Sequence, residues 1–347
     1  MSALNHPTTS GNPLKDWAVL ESLRETTAKW VRKLVEEESR GDELVAYAQL
    51  LSLTRKWPTE SLIQEQNPLY DKVFYKAKSI ERNPDGTYVI VTEDAFVRLN
   101  DKIPAWDIPT VGELRNKTKE GILFSWVGAL SISTRDGVRI PLLRRDAGAP
   151  TDAGKYTLPA GRADKSPGLT AYEECLEEMV ILARKNGQLE IVVPFVEGLG
   201  ITESKAKLLV QLARWRYLTK VLQSGGKITE WAFLEILKAP IVLQNAHIGK
   251  GESVKTIFET WANDVFPPQC IEESGIVPYH DEAVNTFEFI RSISLDLGEY
   301  ESVEIRDGDG FGREAGLFTR EQVQDFVSKW ETVASLKAAE ELWAFRN

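Results

Sequence analysis

Four glutamates lie within six consecutive positions, in the stretch EECLEE that runs from Glu173 to Glu178. On a helix, Glu174, Glu177 and Glu178 stand at i, i+3 and i+4 and share one face, and Glu173 precedes Glu177 by four residues. Like charges at these spacings destabilise an exposed helix by roughly 0.2–0.5 kcal/mol per pair, so the cluster favours a bound cation. Oxygen ligands select Mg²⁺, Mn²⁺ or Ca²⁺ over zinc. The alternative that the residues leave open is a solvated helix face.

The segments around this stretch predict how it is positioned. Apolar residues spaced by three and four predict a helix over 169–185. Upstream, the apolar runs GILFSWVGALSIST and VRIPLLRRD flank Arg135-Asp136-Gly137, which predicts a hairpin. A polar loop follows and ends in LPAGR, where a strand breaks into a turn at Gly161. The glutamates are therefore expected on a helix that packs against this hairpin.

The rest of the chain divides into further elements. An earlier hairpin is predicted where NPDG joins two strand-like runs. Downstream of the acidic helix, LEIVVPFVE, NTFEFIRSISLDL and VEIRD predict strands, and helices are expected over 203–223 and 228–238. The last segment, from Thr319 to Phe345, predicts helix up to the C-terminus.

Hairpin, loop, LPAG turn and acidic helix, in that order, resemble the Nudix hydrolases. In this resemblance Gly161 matches the first glycine of the family signature, and Glu174, Glu177 and Glu178 match its three metal-binding glutamates. The chain departs from the signature in its spacing, since the gap from Gly161 to Glu174 is two residues shorter. Glu173 also stands at the signature arginine, and Val180 stands at the closing glycine.

The resemblance covers 120–195 and 283–335 and implies a fold of the α/β class, a Nudix-type α/β/α sandwich with a mixed β-sheet. We also expect a helical insertion and an N-terminal α+β region. The expected organisation is a disordered tail at 1–13, the N-terminal region at 14–115, a Nudix-like domain at 116–335 with the insertion at 196–282, and a C-terminal helix at 320–347.

The resemblance implies a Nudix-type pyrophosphohydrolase that uses Mg²⁺ or Mn²⁺. Its substrate would be a nucleoside diphosphate linked to another moiety, such as a nucleotide sugar, ADP-ribose or a dinucleotide. Glu174, Glu177 and Glu178 would hold the metal and carry the reaction, beside Gly161. The residues expected to contact substrate are Arg144, Arg145, Arg162 and Asp164. The candidate distal bases are Glu282 and Glu288.

Composition argues against several classes of binding partner and indicates a cellular location. The formal net charge is −10, which argues against nucleic acid or an anionic membrane as the main partner. No apolar run approaches the ~18 residues of a membrane span. Two cysteines cannot build a disulfide framework, so we expect a reducing, cytoplasmic location. A homodimer is expected by analogy with the Nudix family.

Two other functions stay open. The first is a non-catalytic Nudix-like module that senses a nucleotide metabolite, which the departures from the signature favour. The second is RNA decapping or another RNA-processing reaction. It would use the segment 203–250, where eight lysines and arginines stand against three acidic residues.

Overall fold

The computed structural model of this chain describes residues 74–95, 122–145, 152–161, 167–223, 230–249, 251–258, 270–281, 286–308 and 314–344. The chain divides into two compact units, one of residues 1–72 with 218–238 and one of residues 73–217 with 239–347. The candidate site lies wholly in the second unit.

Strands predominate in the described residues. The strands are β1 (Phe74–Arg82), β2 (Tyr88–Ala95), β3 (Ile122–Thr134), β4 (Gly137–Arg144), β5 (Tyr156–Thr157), β6 (Ala160–Gly161), β7 (Met179–Lys185), β8 (Gln188–Phe195), β9 (Ile241–Ile248), β10 (Glu252–Phe258), β11 (Cys270–Asp281), β12 (Thr286–Asp296), β13 (Ser302–Asp307) and β14 (Glu314–Phe318). The helices are α1 (Pro167–Glu178), α2 (Glu203–Gln223), α3 (Glu230–Lys238), α4 (Arg320–Ser328) and α5 (Ala334–Ala344). The fold is mixed α/β, with one large mixed sheet and few helices.

The centre of the sheet is a parallel pair, β3 and β12, which stay in register along eleven residues from Thr286 opposite Leu123 to Asp296 opposite Ser133. Beyond β12, the sheet continues through β11, β10, β2 and β1, and β1 pairs again with the start of β3. These six strands therefore form a closed ring. A second run of strands, β13-β7-β8-β9, joins the pair where β9 meets the end of β12.

Because side chains alternate along a strand, the parallel pair has two apolar faces. One face packs against α1 and the ring strands through Trp126, Phe287, Phe289 and Ala171, among others. The opposite face packs against α4 and α5 through Val127, Ile290, Val323 and Leu336, among others. The same two strands therefore hold both helical layers. Full burial of each large apolar side chain contributes about 1.5–3 kcal/mol to this packing.

The two predicted hairpins are confirmed. Strands β1 and β2 pair across the NPDG turn, and β3 and β4 pair across Arg135-Asp136-Gly137. The sequence also predicts α2, whose bounds the structure reproduces, and α3 to within a turn.

The acidic helix is shorter than the sequence predicts. We expected it to extend to Lys185, but α1 ends at Glu178 and the next seven residues form β7. β7 turns into β8 through Asn186 and Gly187, which both adopt positive φ, at 51° and 75°. An Asn-Gly pair flanked by strands is a strong hairpin signal, so the β-branched and apolar run before it belongs to a strand.

The C-terminal segment contains two helices where we expected one. α4 begins with a capping box, in which the Thr319 hydroxyl accepts the Gln322 N–H and the Gln322 side chain accepts the Thr319 N–H. It ends in a Schellman turn, because the N–H of Glu331 donates to Phe326 and the N–H of Trp330 donates to Val327. Trp330 adopts φ of 61°, and this left-handed residue stops the helix.

The segment 196–282, expected to be mostly helical, has its described helices in the first half and described strands in the second. After α2 and α3 it contributes strands β9, β10 and β11 to the sheet. The expected tail at 1–13, most of the expected N-terminal region and the end of the C-terminal helix lie outside the described residues. In the described part of the chain, no helix has the length and apolar character needed to cross a bilayer.

Candidate active site

Helix α1 contacts different elements on two of its sides. Gly128 of β3 allows close packing, since a Cβ there would overlap the Cys175 sulfur and the Ala171 carbonyl. On another side, the buried Tyr172 hydroxyl donates to the Pro194 carbonyl at 2.7 Å, which ties α1 to β8. The helix is therefore fixed between the parallel pair and the second run of strands.

Glu174 packs directly on the LPAG turn. A Cβ added at Gly161 would overlap the Glu174 carboxylate, so only glycine leaves room for it there. Gly161 is held in place because it pairs with Trp126 of β3, which is fully buried. The structure thus brings together the glycine and the first glutamate that the sequence linked.

Glu173 differs from the other three glutamates because it is held in a buried ion pair. The Lys205 Nζ lies 2.5 Å from the Glu173 Oε1, and both side chains are largely buried. Lys205 comes from the first turn of α2, where its N–H donates to the Thr202 hydroxyl at 3.2 Å. The charge of Glu173 is therefore compensated from outside α1.

Glu177 and Glu178 are half-buried at the C-terminal end of α1. This end is capped by the start of the turn after β13, where the Gly308 N–H donates to the Glu178 carbonyl at 2.8 Å. Within the described residues, no three histidine, cysteine, aspartate or glutamate side chains already form a group that could hold a metal ion. Mg²⁺ commonly uses one or two carboxylates and completes its shell with water and phosphate oxygens. The glutamate carboxylates of α1 fit this donor chemistry without a group of three.

The N-terminal end of α1 is held by an ion pair that the sequence did not reveal. The Glu273 carboxylate accepts the Gly168 N–H at 2.8 Å and lies 3.1 Å from the Arg291 Nη2. Arg291 is almost fully buried, and burial lowers the pKa of its guanidinium while Glu273 opposes that shift. A carboxylate at a helix N-terminus is favoured by the helix dipole. Gly168 and Glu273 are 105 positions apart, so no local sequence signal predicts this contact.

The two arginines at the end of β4 differ in their surroundings. The Arg144 guanidinium pairs with Glu314 at 3.2 Å and donates to the Gly154 carbonyl at 2.9 Å. It also lies 5.7 Å from the centre of the Tyr156 ring, on the α4–α5 face of the sheet. Arg145 directly follows β4, where its N–H donates to the Lys155 carbonyl at 2.9 Å and its carbonyl accepts the Gly154 N–H at 3.1 Å.

Glu288 lies on the sheet face opposite to α1. It alternates with Phe287 and Phe289, which face α1, and its carboxylate accepts the Ser125 hydroxyl at 3.2 Å. The structure therefore does not bring Glu288 to the face of α1 that carries Glu174, Glu177 and Glu178, the acidic face. Three other expected site residues, Arg162, Asp164 and Glu282, lie outside the described residues.

Cys175 stands between the glutamates of α1 and is fully buried against β3. Burial raises the pKa of its thiol, and the nearby charges of Glu178 and Glu174 raise it further. A thiol with a raised pKa is a poor nucleophile, so Cys175 has a packing role.

Comparison with known proteins adds no relative. No protein-family model, no curated protein and no solved structure matches this chain.

Proposed function

We propose that this chain is a divalent-metal-dependent hydrolase of the Nudix type, acting on a phosphoanhydride in a nucleoside diphosphate linked to another moiety. The observation that carries the proposal is the packing of the Glu174 carboxylate on Gly161. It joins the LPAG turn to the acidic face of α1, as the resemblance requires. The mixed sheet, with α1 on one face of the parallel pair and α4 and α5 on the other, supports a Nudix-type α/β/α sandwich.

Glu174, Glu177 and Glu178 would hold Mg²⁺ or Mn²⁺. When bound, the cation supplies charge neutralisation at the phosphate oxygens and acidifies water. The chain's own contribution is to fix the carboxylates: Gly161 leaves room for Glu174, and contacts at both ends of α1 prevent the helix from shifting. Preorganised charge of this kind avoids reorganisation during the reaction.

The remaining roles go to two kinds of group. A glutamate of the acidic face accepts the proton of the attacking water, since Glu288 lies on the other side of the sheet. We assign a substrate phosphate to Arg145, because its neighbour Arg144 pairs with Glu314 and the Gly154 carbonyl. Arg162 and Asp164 keep their expected roles in substrate binding, and Glu282 stays a candidate distal base.

The test is turnover of a substrate panel. The purified chain is incubated with Mg²⁺ and nucleotide sugars, ADP-ribose, dinucleotides and capped RNA, and the products are separated by chromatography. Glu177→Gln is measured beside Glu203→Gln, which removes the same charge from an exposed position on α2. We expect metal-dependent cleavage that Glu177→Gln lowers by about a hundredfold or more and Glu203→Gln leaves unchanged. Equal activity of the two variants would refute the proposal.

A second candidate is a nucleotide sensor without catalysis. It is favoured by the departures from the family signature, where Glu173 stands at the arginine and Val180 at the closing glycine. Tight nucleotide binding without turnover on any member of the panel would select this function.

RNA processing gains no support from α2. In the basic segment 203–250, Arg214 is buried, and its Nη1 donates to the Ala239 carbonyl at 2.7 Å. Burial lowers the pKa of this guanidinium to about 10. Because Arg214 is used inside the fold, it is not part of a surface that could contact RNA phosphates.

A further inference from the structure

The Glu173–Lys205 ion pair lies beside the proposed cation site. Glu173 precedes Glu177 by one helical turn, so the two carboxylates project from the same side of α1. Of the four glutamates, Glu173 is the buried one, while the other three are half-buried. By spacing alone, Glu173 is as close to Glu177 as Glu178 is to Glu174.

The backbone of Lys205 is held independently of α1. Its N–H is held by the Thr202 hydroxyl at the start of α2, in the arrangement of a helix N-cap. The side chain then reaches Glu173 with 17% of its surface exposed, against 6% for the Glu173 side chain. An ion pair shielded from water to this degree is screened less by salt than a surface pair.

We propose that Lys205 is a positioning residue that withholds Glu173 from the cation and leaves Glu174, Glu177 and Glu178 as the ligand set. This inference rests on the function proposed above. The ammonium occupies the Glu173 oxygen that a cation would otherwise bind. It also cancels one negative charge on the side of α1 that carries Glu177.

This role differs from simple anchoring of α2 on α1. If Lys205 only anchored α2, its loss would loosen the site, so cation binding and turnover would weaken together. If Lys205 withholds Glu173, its loss adds a carboxylate and removes a positive charge near the cation. Cation binding would then tighten while turnover falls, because the cation is displaced toward Glu173.

The experiment measures Mn²⁺ alone and turnover separately. Mn²⁺ is titrated calorimetrically, without nucleotide, into the wild-type chain, Lys205→Met, the double variant Glu173→Gln/Lys205→Met, and Glu177→Gln. Lys207→Met is the matched control, since it makes the same charge change two residues along α2. Lys205→Gln replaces Lys205→Met if the latter does not fold, because its amide satisfies the buried carboxylate; tighter Mn²⁺ binding is then expected from the loss of the positive charge alone.

For Lys205→Met we expect Mn²⁺ binding about tenfold tighter and turnover about tenfold lower. The double variant is expected to return both values to within about threefold of wild type, as is Lys207→Met. Weaker Mn²⁺ binding in Lys205→Met, or a double variant that restores neither value, overturns the positioning role while the proposed function stands. A wild-type chain that binds Mn²⁺ no better than Glu177→Gln overturns the proposed function itself and this inference with it.

Discussion

Replacing Arg291 by methionine tests how firmly the N-terminal end of α1 is held. The Arg291 side chain is 1% exposed and its partner Glu273 is 14% exposed, with 3.1 Å between the charged atoms. Removing one member of a buried pair costs about 3–5 kcal/mol, because it leaves an uncompensated charge. Glu273 retains the Gly168 N–H, so the lower end of this range applies, about 3 kcal/mol. For a unit of this size that loss corresponds to a decrease in melting temperature of about 6–12 °C.

The double variant Arg291→Met/Glu273→Gln completes the cycle. A neutral glutamine still accepts the Gly168 N–H, and replacing both charges of a buried pair is often nearly neutral. We therefore expect the double variant to lose about 1 kcal/mol, less than either single variant. The control is Arg82→Met, which breaks a pair with Glu252 at the same 3.1 Å but with both side chains more than half exposed. That change should cost less than about 1 kcal/mol.

The assay combines calorimetric unfolding with hydrogen exchange of the peptide 167–178. Arg291→Met should speed exchange at the N-terminal end of α1, and the double variant should restore much of the protection. A double variant as unstable as Arg291→Met, or a loss in Arg291→Met no larger than in Arg82→Met, would refute the reasoning.

Three further predictions concern other parts of the fold. Gly161→Ala places a methyl group on the Glu174 carboxylate, so turnover should fall about a hundredfold. Urea unfolding should show a free energy of unfolding lower by about 1–3 kcal/mol. Unchanged turnover would contradict the packing of Glu174 on Gly161. Trp330→Gly relieves the left-handed backbone of an exposed side chain and should raise the free energy of unfolding by up to about 1 kcal/mol. A clear loss of stability would contradict this prediction. Burial and the hydrogen bond to Glu190 raise the pKa of Tyr300 from 10.0 to about 12. Between pH 10 and 12 the folded state therefore keeps a proton that the unfolded state loses, so stability falls as the pH rises. Tyr300→Phe should show a smaller fall over that window, and an equal fall in both proteins would argue against the shift.

Local signals account for the part of the fold that the sequence predicts. Both hairpins follow from turn dipeptides between apolar runs, and α2 follows from its spacing. The end of α1 was also readable, since Asn186-Gly187 marks a hairpin and strand-forming residues precede it. The helical spacing of the apolar residues up to Met179 competes with that signal and favours a longer helix.

Other features have no local signal. Trp330 occupies the left-handed position that usually holds glycine, so the break between α4 and α5 is invisible in the sequence. The closed ring depends on the pairing of β3 with β12, which are far apart in the chain. Such pairings are decided by the packing of both faces and not by propensity.

The candidate site also combines features that have a local sequence signal with features that have none. The helical spacing of Glu174, Glu177 and Glu178 was predictable, but the partner of Glu173 comes from 32 residues away. The sequence grouped Glu173 with the other three because spacing carries no information on burial. The resemblance to the Nudix family likewise suggested Glu288 as a distal base, whereas strand alternation places it on the far face.

The central claim is that the acidic face of α1 binds a divalent cation, and anomalous diffraction from a crystal soaked in Mn²⁺ tests it most directly. The account predicts an anomalous peak about 2.0–2.2 Å from carboxylate oxygens of at least two of Glu174, Glu177 and Glu178, with Glu173 still paired to Lys205. A crystal without a peak at this face, or with a peak held elsewhere in the chain, would contradict it.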